Sequence, residues 1–259
     1  MNRTGLIIAL VIAAVTGLAF GLYPQIDLMI SAPFHAMTFN DLGFGMHVYP
    51  PLMLARNIGL WVGTVIIVPV LMALALKLIV PTHKMLVPGR AVIFLVATLT
   101  LGPGLLVNVG LKDHWGRPRP IDVTQFGGDE HFVPWWDPRG ECPNNCSFVS
   151  GDVAGAFWTI APAALAPPQW RALAYGAALT LGTAMAAFRV MAGGHFLSDV
   201  VFAGVFTFLI IWLAHGLIYR WRRTRLSDAA IEGAIERIAT PGYRALRSLF
   251  GRKIMRDEK

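Results

Sequence analysis

The sequence predicts an all-α fold: a polytopic membrane bundle of about six transmembrane helices, with an outer loop and a basic cytoplasmic tail. Three observations predict it. Hydrophobic residues make up 55% of the 259 and charged residues only 14%, against roughly a quarter charged in ordinary soluble domains. The apolar residues fall into long runs. A bilayer core of about 30 Å needs about 20 such residues per helix, and the segments 5–23, 58–80, 91–111, 148–166, 171–188 and 198–219 meet that need. Third, positive charge is partitioned by loop along the chain.

Taken in order, the first run follows Asn2-Arg3 and continues to Leu22. That is longer than the 7–15 residues of a signal-peptide core, and no small-x-small cleavage site follows, so it reads as a retained helix. The second and third runs flank a short loop bounded by Lys77, Lys84 and Arg90. The fourth and fifth are interrupted by Pro162, Pro167 and Pro168, with a very short link between them. The sixth leads out of a membrane domain, 1–221, into a tail, 222–259. There Ser227 suits a helix N-cap, with Ile231, Ile235 and Ile238 on one face. Pro241-Gly242 predicts a break before a second stripe of Leu246, Leu249 and Phe250. A basic amphipathic helix on the inner leaflet and a solvated tail both fit this pattern.

The net charge of +7 raises the question of nucleic acid, and its distribution answers it. Arg220, at the end of the sixth run, is followed in the tail by Arg222, Arg223, Arg225, Arg237, Arg244, Arg247, Arg252, Lys253, Arg256 and Lys259. Cytoplasmic segments near spans collect Lys and Arg, which puts both termini and the 81–90 loop inside. Loops 24–56 and 112–147 then lie outside. Asp27, Asp41, Asp113, Asp122, Asp129, Glu130, Asp137 and Glu141 collect there. No nucleic-acid partner is expected, and the oligomeric state is not legible. The only two cysteines, Cys142 and Cys146, stand in the 112–147 loop. A disulfide ring suits an oxidising periplasm. Two free thiols or a metal site are the other readings, the latter poor without nearby histidines. Trp135 and Trp136 in the same loop read as interface anchors or, less directly, as substrate contacts.

Ionisable residues among membrane helices are costly and hence functional by default, while Arg189 and Lys112, each at a span end, also read as side chains that snorkel to the interface. His195 and Asp199 are four apart and share a helix face. A carboxylate beside the imidazole would fix its tautomer and leave one nitrogen free to attack. Gly193-Gly194 just before it suits close approach of a ligand. Arg189, Lys112 and Arg119 supply three cations suited to a phosphate; Arg117-Pro118 offers a second Arg-Pro pair, and Arg119 is preferred on spacing. Ser150 and Gly151 begin a span, where a hydroxyl and backbone N–H groups bind anions; a simple cap is the plainer reading. Asp152 follows in the first turn, and as a neutral acid it would protonate a departing alkoxide. In the six-span arrangement all four boundaries fall on the outer side. The set suits gripping a phosphate and transferring it to His195.

The spacing resembles the type 2 phosphatidic acid phosphatase superfamily, the membrane lipid phosphate phosphatases, whose motifs are K-x6-R-P, P-S-G-H and S-R-x5-H-x3-D. The first is complete from Lys112 to Arg119-Pro120. The third runs from Phe188-Arg189 through His195 to Asp199, with Phe188 in place of serine. The second reads Val149-Ser150-Gly151-Asp152, with Asp152 where the family has histidine. The resemblance covers 112–199 and implies a metal-independent phosphatase without a cofactor. In it His195 forms a phosphohistidine aided by Asp199, and Lys112, Arg119, Ser150, Gly151 and Arg189 hold the phosphate. The family's histidine acid would stand at position 152; Asp152 occupies its place and is expected to take its role, a substitution that leaves a weak or altered activity open. The stretches HWGRPRP and NCSFVSG look like those of bacterial lipid A phosphatases of the 4′ branch. The expected partner is a membrane lipid with a phosphorylated headgroup. Phosphatidylglycerol phosphate, phosphatidic acid and undecaprenyl diphosphate are alternative substrates, and transfer of the phosphate to another lipid is an alternative reaction.

Overall fold

The computed structural model describes residues 1–37 and 43–257. Asp41, Lys259 and the side chains of Leu246, Leu249, Phe250, Arg252, Lys253 and Arg256 lie outside that description. The described residues are helical, with one isolated bridge between Val123 and Glu130 and no strand. Five helices are long and apolar enough to cross a membrane: α1 (Arg3–Leu22), α3 (Pro50–Ile79), α4 (Gly89–Leu111), α7 (Pro168–Met191) and α8 (Leu197–Arg220). Between them lie α2 (Gln25–His35), α5 (Gly151–Phe157) and α6 (Ile160–Leu165), and α9 (Asp228–Asp257) follows. This is an all-α, multi-pass membrane protein.

The fourth expected span is two short helices. Pro162 cannot donate to the Trp158 carbonyl, and its ring would clash with that group in a continuous helix. The backbone steps around it with i→i−3 bonds, Thr159 N–H to Ala156 at 3.2 Å and Ala161 N–H to Trp158 at 2.8 Å. Both pieces are largely buried, because they pack on α7 and on the end of α4 rather than facing lipid. Two further differences lie at the other end of the chain region: α2 occupies part of the expected 24–56 loop, and α3 starts at Pro50 rather than near residue 58. Pro103 interrupts α4 as well, and from Thr100 the helix widens to π geometry, closing with Lys112 N–H on the Val107 carbonyl at 2.9 Å.

The chain forms two compact units. The first comprises Met1–Thr64 and Ala97–Ala214 and contains every residue of the site described below. Its core includes Phe148, Val153, Met185, Phe188 and Phe202, with Trp115 and Trp135 packed against it. Trp115 stacks on Phe148 (4.9 Å between centroids), Trp135 packs on Phe202 (4.5 Å), and Trp115 Nε1 donates to the Trp135 carbonyl at 2.7 Å. Trp135 thus fastens the 112–147 loop to the helices, while Trp136 is half exposed.

The second unit comprises Val65–Val96 and His215–Lys259. Here Lys77 is buried, donating to the carbonyls of Pro81 (2.6 Å) and His83 (2.9 Å), with Glu232 at 3.4 Å. Asp228 accepts from Arg90 Nε at 3.0 Å, and Glu232 accepts from the Met85 N–H at 2.8 Å. Ser227 caps α9 through the Ala230 N–H at 3.1 Å. Ile231 and Ile235 are buried and Ile238 is exposed. The tail helix is therefore docked on the 81–90 loop, a third outcome beside the two the sequence offered. It also runs through Pro241 without ending, at the loss of one i→i−4 hydrogen bond.

Candidate active site

The loop after α4 is laid back along itself. Cys142, Cys146 and Ser147 donate their N–H groups to the carbonyls of Gly116 (3.1 Å), Lys112 (2.9 Å) and Arg117 (2.8 Å). Cys142 and Cys146 form a disulfide within this return strand of loop. The pairing brings Ser147–Gly151, and with them the start of α5, alongside Lys112–Arg119. Arg119 is half-buried, and its Nη2 donates to the Asn145 carbonyl at 2.6 Å. Gly151 packs against Asn108 of α4: a Cβ there would come within 2.5 Å of Oδ1, so a larger residue would push the Asn108 amide aside.

The other half comes from the turn between α7 and α8. The N–H groups of Gly194 (3.0 Å) and His195 (3.3 Å) both reach the Arg189 carbonyl. Gly193 holds φ +65°, and a Cβ at Gly194 would lie 2.4 Å from Arg189 Nη2. Gly194 lets the Arg189 guanidinium approach the backbone of the turn that carries His195, while Gly193 makes room for the Phe44 ring. Charges on Arg189, Arg119 and Lys112 all act on the His195 ring, and those on Arg119 and Arg189 act on Lys112, so the expected set does converge. Ser150 Oγ and Arg189 Nε are buried without a hydrogen-bond partner among the described residues. Unsatisfied donors of this kind, beside a cluster of cations, suit an anion.

His195 is 1% exposed, and its Nδ1 lies 2.6 Å from the Ser147 carbonyl. A carbonyl only accepts, so Nδ1 carries the proton and Nε2 keeps its lone pair. Burial pushes the imidazole well below its ordinary pKa, and Arg189, Arg119 and Lys112 push the same way against the Ser147 carbonyl. The ring is neutral, and therefore nucleophilic, at neutral pH.

Asp199 does not orient the ring directly, as the sequence suggested. Its Oδ2 accepts from Ser147 Oγ (2.5 Å) and from the Phe196 N–H (2.9 Å), the latter capping α8, and its Oδ1 accepts from Arg117 Nη1. It reaches His195 through Ser147, whose carbonyl holds the ring. The i, i+4 face-sharing fails because His195 precedes the helix. Arg117 is fully buried, which explains why Arg119 and not Arg117 faces the site. Its guanidinium joins Asp199, Asp27 (2.8 Å), Ser198 Oγ (2.9 Å) and the Val133 carbonyl (3.0 Å), above the Phe196 ring at 4.5 Å. Asp27, assigned from sequence to the solvated outer loop, is 1% exposed; a lone carboxylate within the apolar QIDLMISAPF stretch was the signal for it.

Asp152 also differs from expectation. Its Oδ2 is 2.8 Å from Arg56 Nε and 2.7 Å from Arg56 Nη2, with Arg189 Nε at 3.5 Å. Its side chain is thus tied to two arginines rather than standing free in the site. Sequence reasoning missed Arg56 because no motif spacing leads to it.

A multi-span helical protein with a buried histidine among cations and unsatisfied donors has a site fitted to an anion such as phosphate. The PAP2 superfamily model matches residues 90–225. The chain belongs to the PAP2 superfamily. A lipid A 4′-phosphatase of Francisella tularensis subsp. novicida (strain U112) is 33% identical over 223 residues, covering 85% of this chain and 98% of that protein. Lipid A 4′-phosphatases of Rhizobium leguminosarum and Rhizobium etli are 43% and 41% identical over 117 and 116 residues, 45% of this chain in each case and 50% and 45% of theirs. No solved structure matches significantly.

Proposed function

We propose that the protein removes the 4′-phosphate monoester of lipid A at the periplasmic face of a bacterial inner membrane, through a phosphohistidine on His195. The observation that carries the mechanism is the Nδ1–Ser147 carbonyl contact, which leaves Nε2 free. Nε2 forms a bond to phosphorus as the bond to the bridging oxygen breaks. Lys112, Arg119, Arg189, Ser150 Oγ and the Gly151 N–H offset the charge on the non-bridging oxygens. Water then takes the phosphoryl group, the P–N bond breaks, and the water's proton leaves on phosphate. The three similar lipid A 4′-phosphatases support the substrate. An apolar cleft of ≈ 670 Å³ supports a lipid generally: it is lined by Ile12 and Phe34, by Val190 and Met191 next to Arg189, and by Leu197 and Val200 beside Asp199. The Lys and Arg of the 81–90 loop and tail support cytoplasmic termini and a periplasmic site.

Purified protein in detergent should release free phosphate from lipid A with no acceptor lipid present, and mass spectrometry should locate the loss at the 4′ position. Phosphate release only from phosphatidylglycerol phosphate, phosphatidic acid or undecaprenyl diphosphate would reject the substrate, and a need for an acceptor lipid would reject hydrolysis.

The electrostatics set the pH profile. Protonating His195 removes the nucleophile, and its pKa is lowered, so the acid limb of kcat/KM should fall well below pH 6.5, once the substrate's own second ionisation near 6 is divided out. Lys112 is lowered by burial and then by Arg119. Its charge is lost as pH rises, so a basic limb should appear below 10.5 and move upward in Lys112→Arg. An acid limb above 6.5 that follows the enzyme rather than the substrate would contradict the His195 assignment.

A further inference from the structure

The Arg56–Asp152 pair is a charged contact at the site that the three motifs do not contain. Its place relative to His195 gives it meaning. His195 is 1% exposed, whereas the Asp152 and Arg56 side chains are 22% and 25% exposed. In-line displacement puts the leaving oxygen on the far side of phosphorus from the attacking nitrogen. A nucleophile that is fully buried therefore sends the leaving oxygen toward the more exposed part of the site, and Arg56 and Asp152 are among its more exposed side chains. Arg56 commits Nε and Nη2 to one oxygen of Asp152. A guanidinium has five N–H donors, so the Nη1 donors remain for another acceptor.

We infer that Arg56 is a further catalytic residue of this site: its guanidinium, held by Asp152, stabilises the negative charge that develops on the bridging oxygen as the lipid alkoxide departs. Asp152 is then a positioning residue. As the P–N bond to His195 forms, the electron pair of the P–O bond passes to the bridging oxygen. Arg56 donates a hydrogen bond to that oxygen and keeps its proton. A solvent water at the more exposed part of the site protonates the alkoxide, and the resulting hydroxide is neutralised by buffer. This rests on the hydrolase reading above and replaces the acid expected at position 152 with a fixed cation.

The test uses the full chain in detergent, with lipid A and a series of aryl and alkyl phosphates of graded leaving-group basicity as probes. Arg56→Gln should lower kcat roughly 10²-fold on lipid A and on the poorest leaving groups, the effect of removing one preorganised donor. On p-nitrophenyl phosphate, whose phenolate needs little help, the loss should stay below roughly ten-fold on the same scale. The dependence of rate on leaving-group basicity should steepen. Arg56→Lys should recover part of the loss, and Asp152→Asn combined with Arg56→Gln should be little worse than Arg56→Gln alone. A purely structural tie between α3 and α5 would instead lower all substrates equally, or lower the melting temperature with no change of slope; either result overturns the inference, as does an unchanged slope in a well-folded variant. The phosphate series judges Arg56 even if lipid A proves not to be the substrate. Activity surviving in His195→Gln would strike the phosphohistidine account separately, and a need for an acceptor lipid would strike the hydrolase reading.

Discussion

His195→Gln should abolish phosphate release from lipid A and from aryl phosphates alike, by roughly 10⁴-fold or more, as loss of a covalent nucleophile does. Glutamine can still donate an amide N–H toward the Ser147 carbonyl, so the turn between α7 and α8 should hold. What it lacks is the Nε2 lone pair. The cation set is untouched, and inorganic phosphate should therefore bind within about ten-fold of the parent value; that modest change separates lost chemistry from lost binding. A base-stable, acid-labile phosphoryl label should accumulate on the parent protein during turnover and be absent from the variant. Undiminished phosphate release, or a label that persists without His195, would end the phosphohistidine account.

What was legible in the sequence followed from two physical regularities. The length of apolar runs located α1, α3, α4, α7 and α8, because a helix in hydrocarbon must satisfy its own backbone and must be long enough to cross. The fixed spacing of cations, glycines and histidine gathered Lys112, Arg119, Ser150, Arg189 and His195. Pro162 marked an interruption in the fourth span, but not that its two pieces lie buried, because a run of Ala, Ile and Pro reads alike whether it faces lipid or packs against α7. The roles of Asp199 and Asp152 failed for a related reason. Spacing says which residues share a face of a helix, but His195 stands before α8 begins, and Asp152 is met by Arg56 from 96 residues away. The choice of Arg119 over Arg117, made on spacing alone, has its physical counterpart in the full burial of Arg117.

Arg117 makes the second large prediction, one of stability rather than chemistry. Its guanidinium stands between the carboxylates of Asp27 and Asp199, with 0% exposure on its own side chain and 1% and 0% on theirs. Arg117→Ala would leave two buried anions facing each other without a cation, and breaking a buried pair from one side costs about 3–5 kcal/mol. The melting temperature in detergent should fall steeply, and Arg117→Lys should recover only part, since one ammonium cannot reproduce a planar fork directed at Asp27, Asp199, Ser198 and the Val133 carbonyl. Removing charge in balance tells the same story from the other side: adding Asp27→Asn to Arg117→Met should raise stability above Arg117→Met alone. Activity should track folding in this series, because Asp199 acts on His195 only through Ser147. Arg119→Ala should behave in the opposite way, with little change in melting and a marked loss of phosphate affinity. A stable, fully folded Arg117→Ala with weakened phosphate binding would show that the two arginines had been assigned the wrong way round.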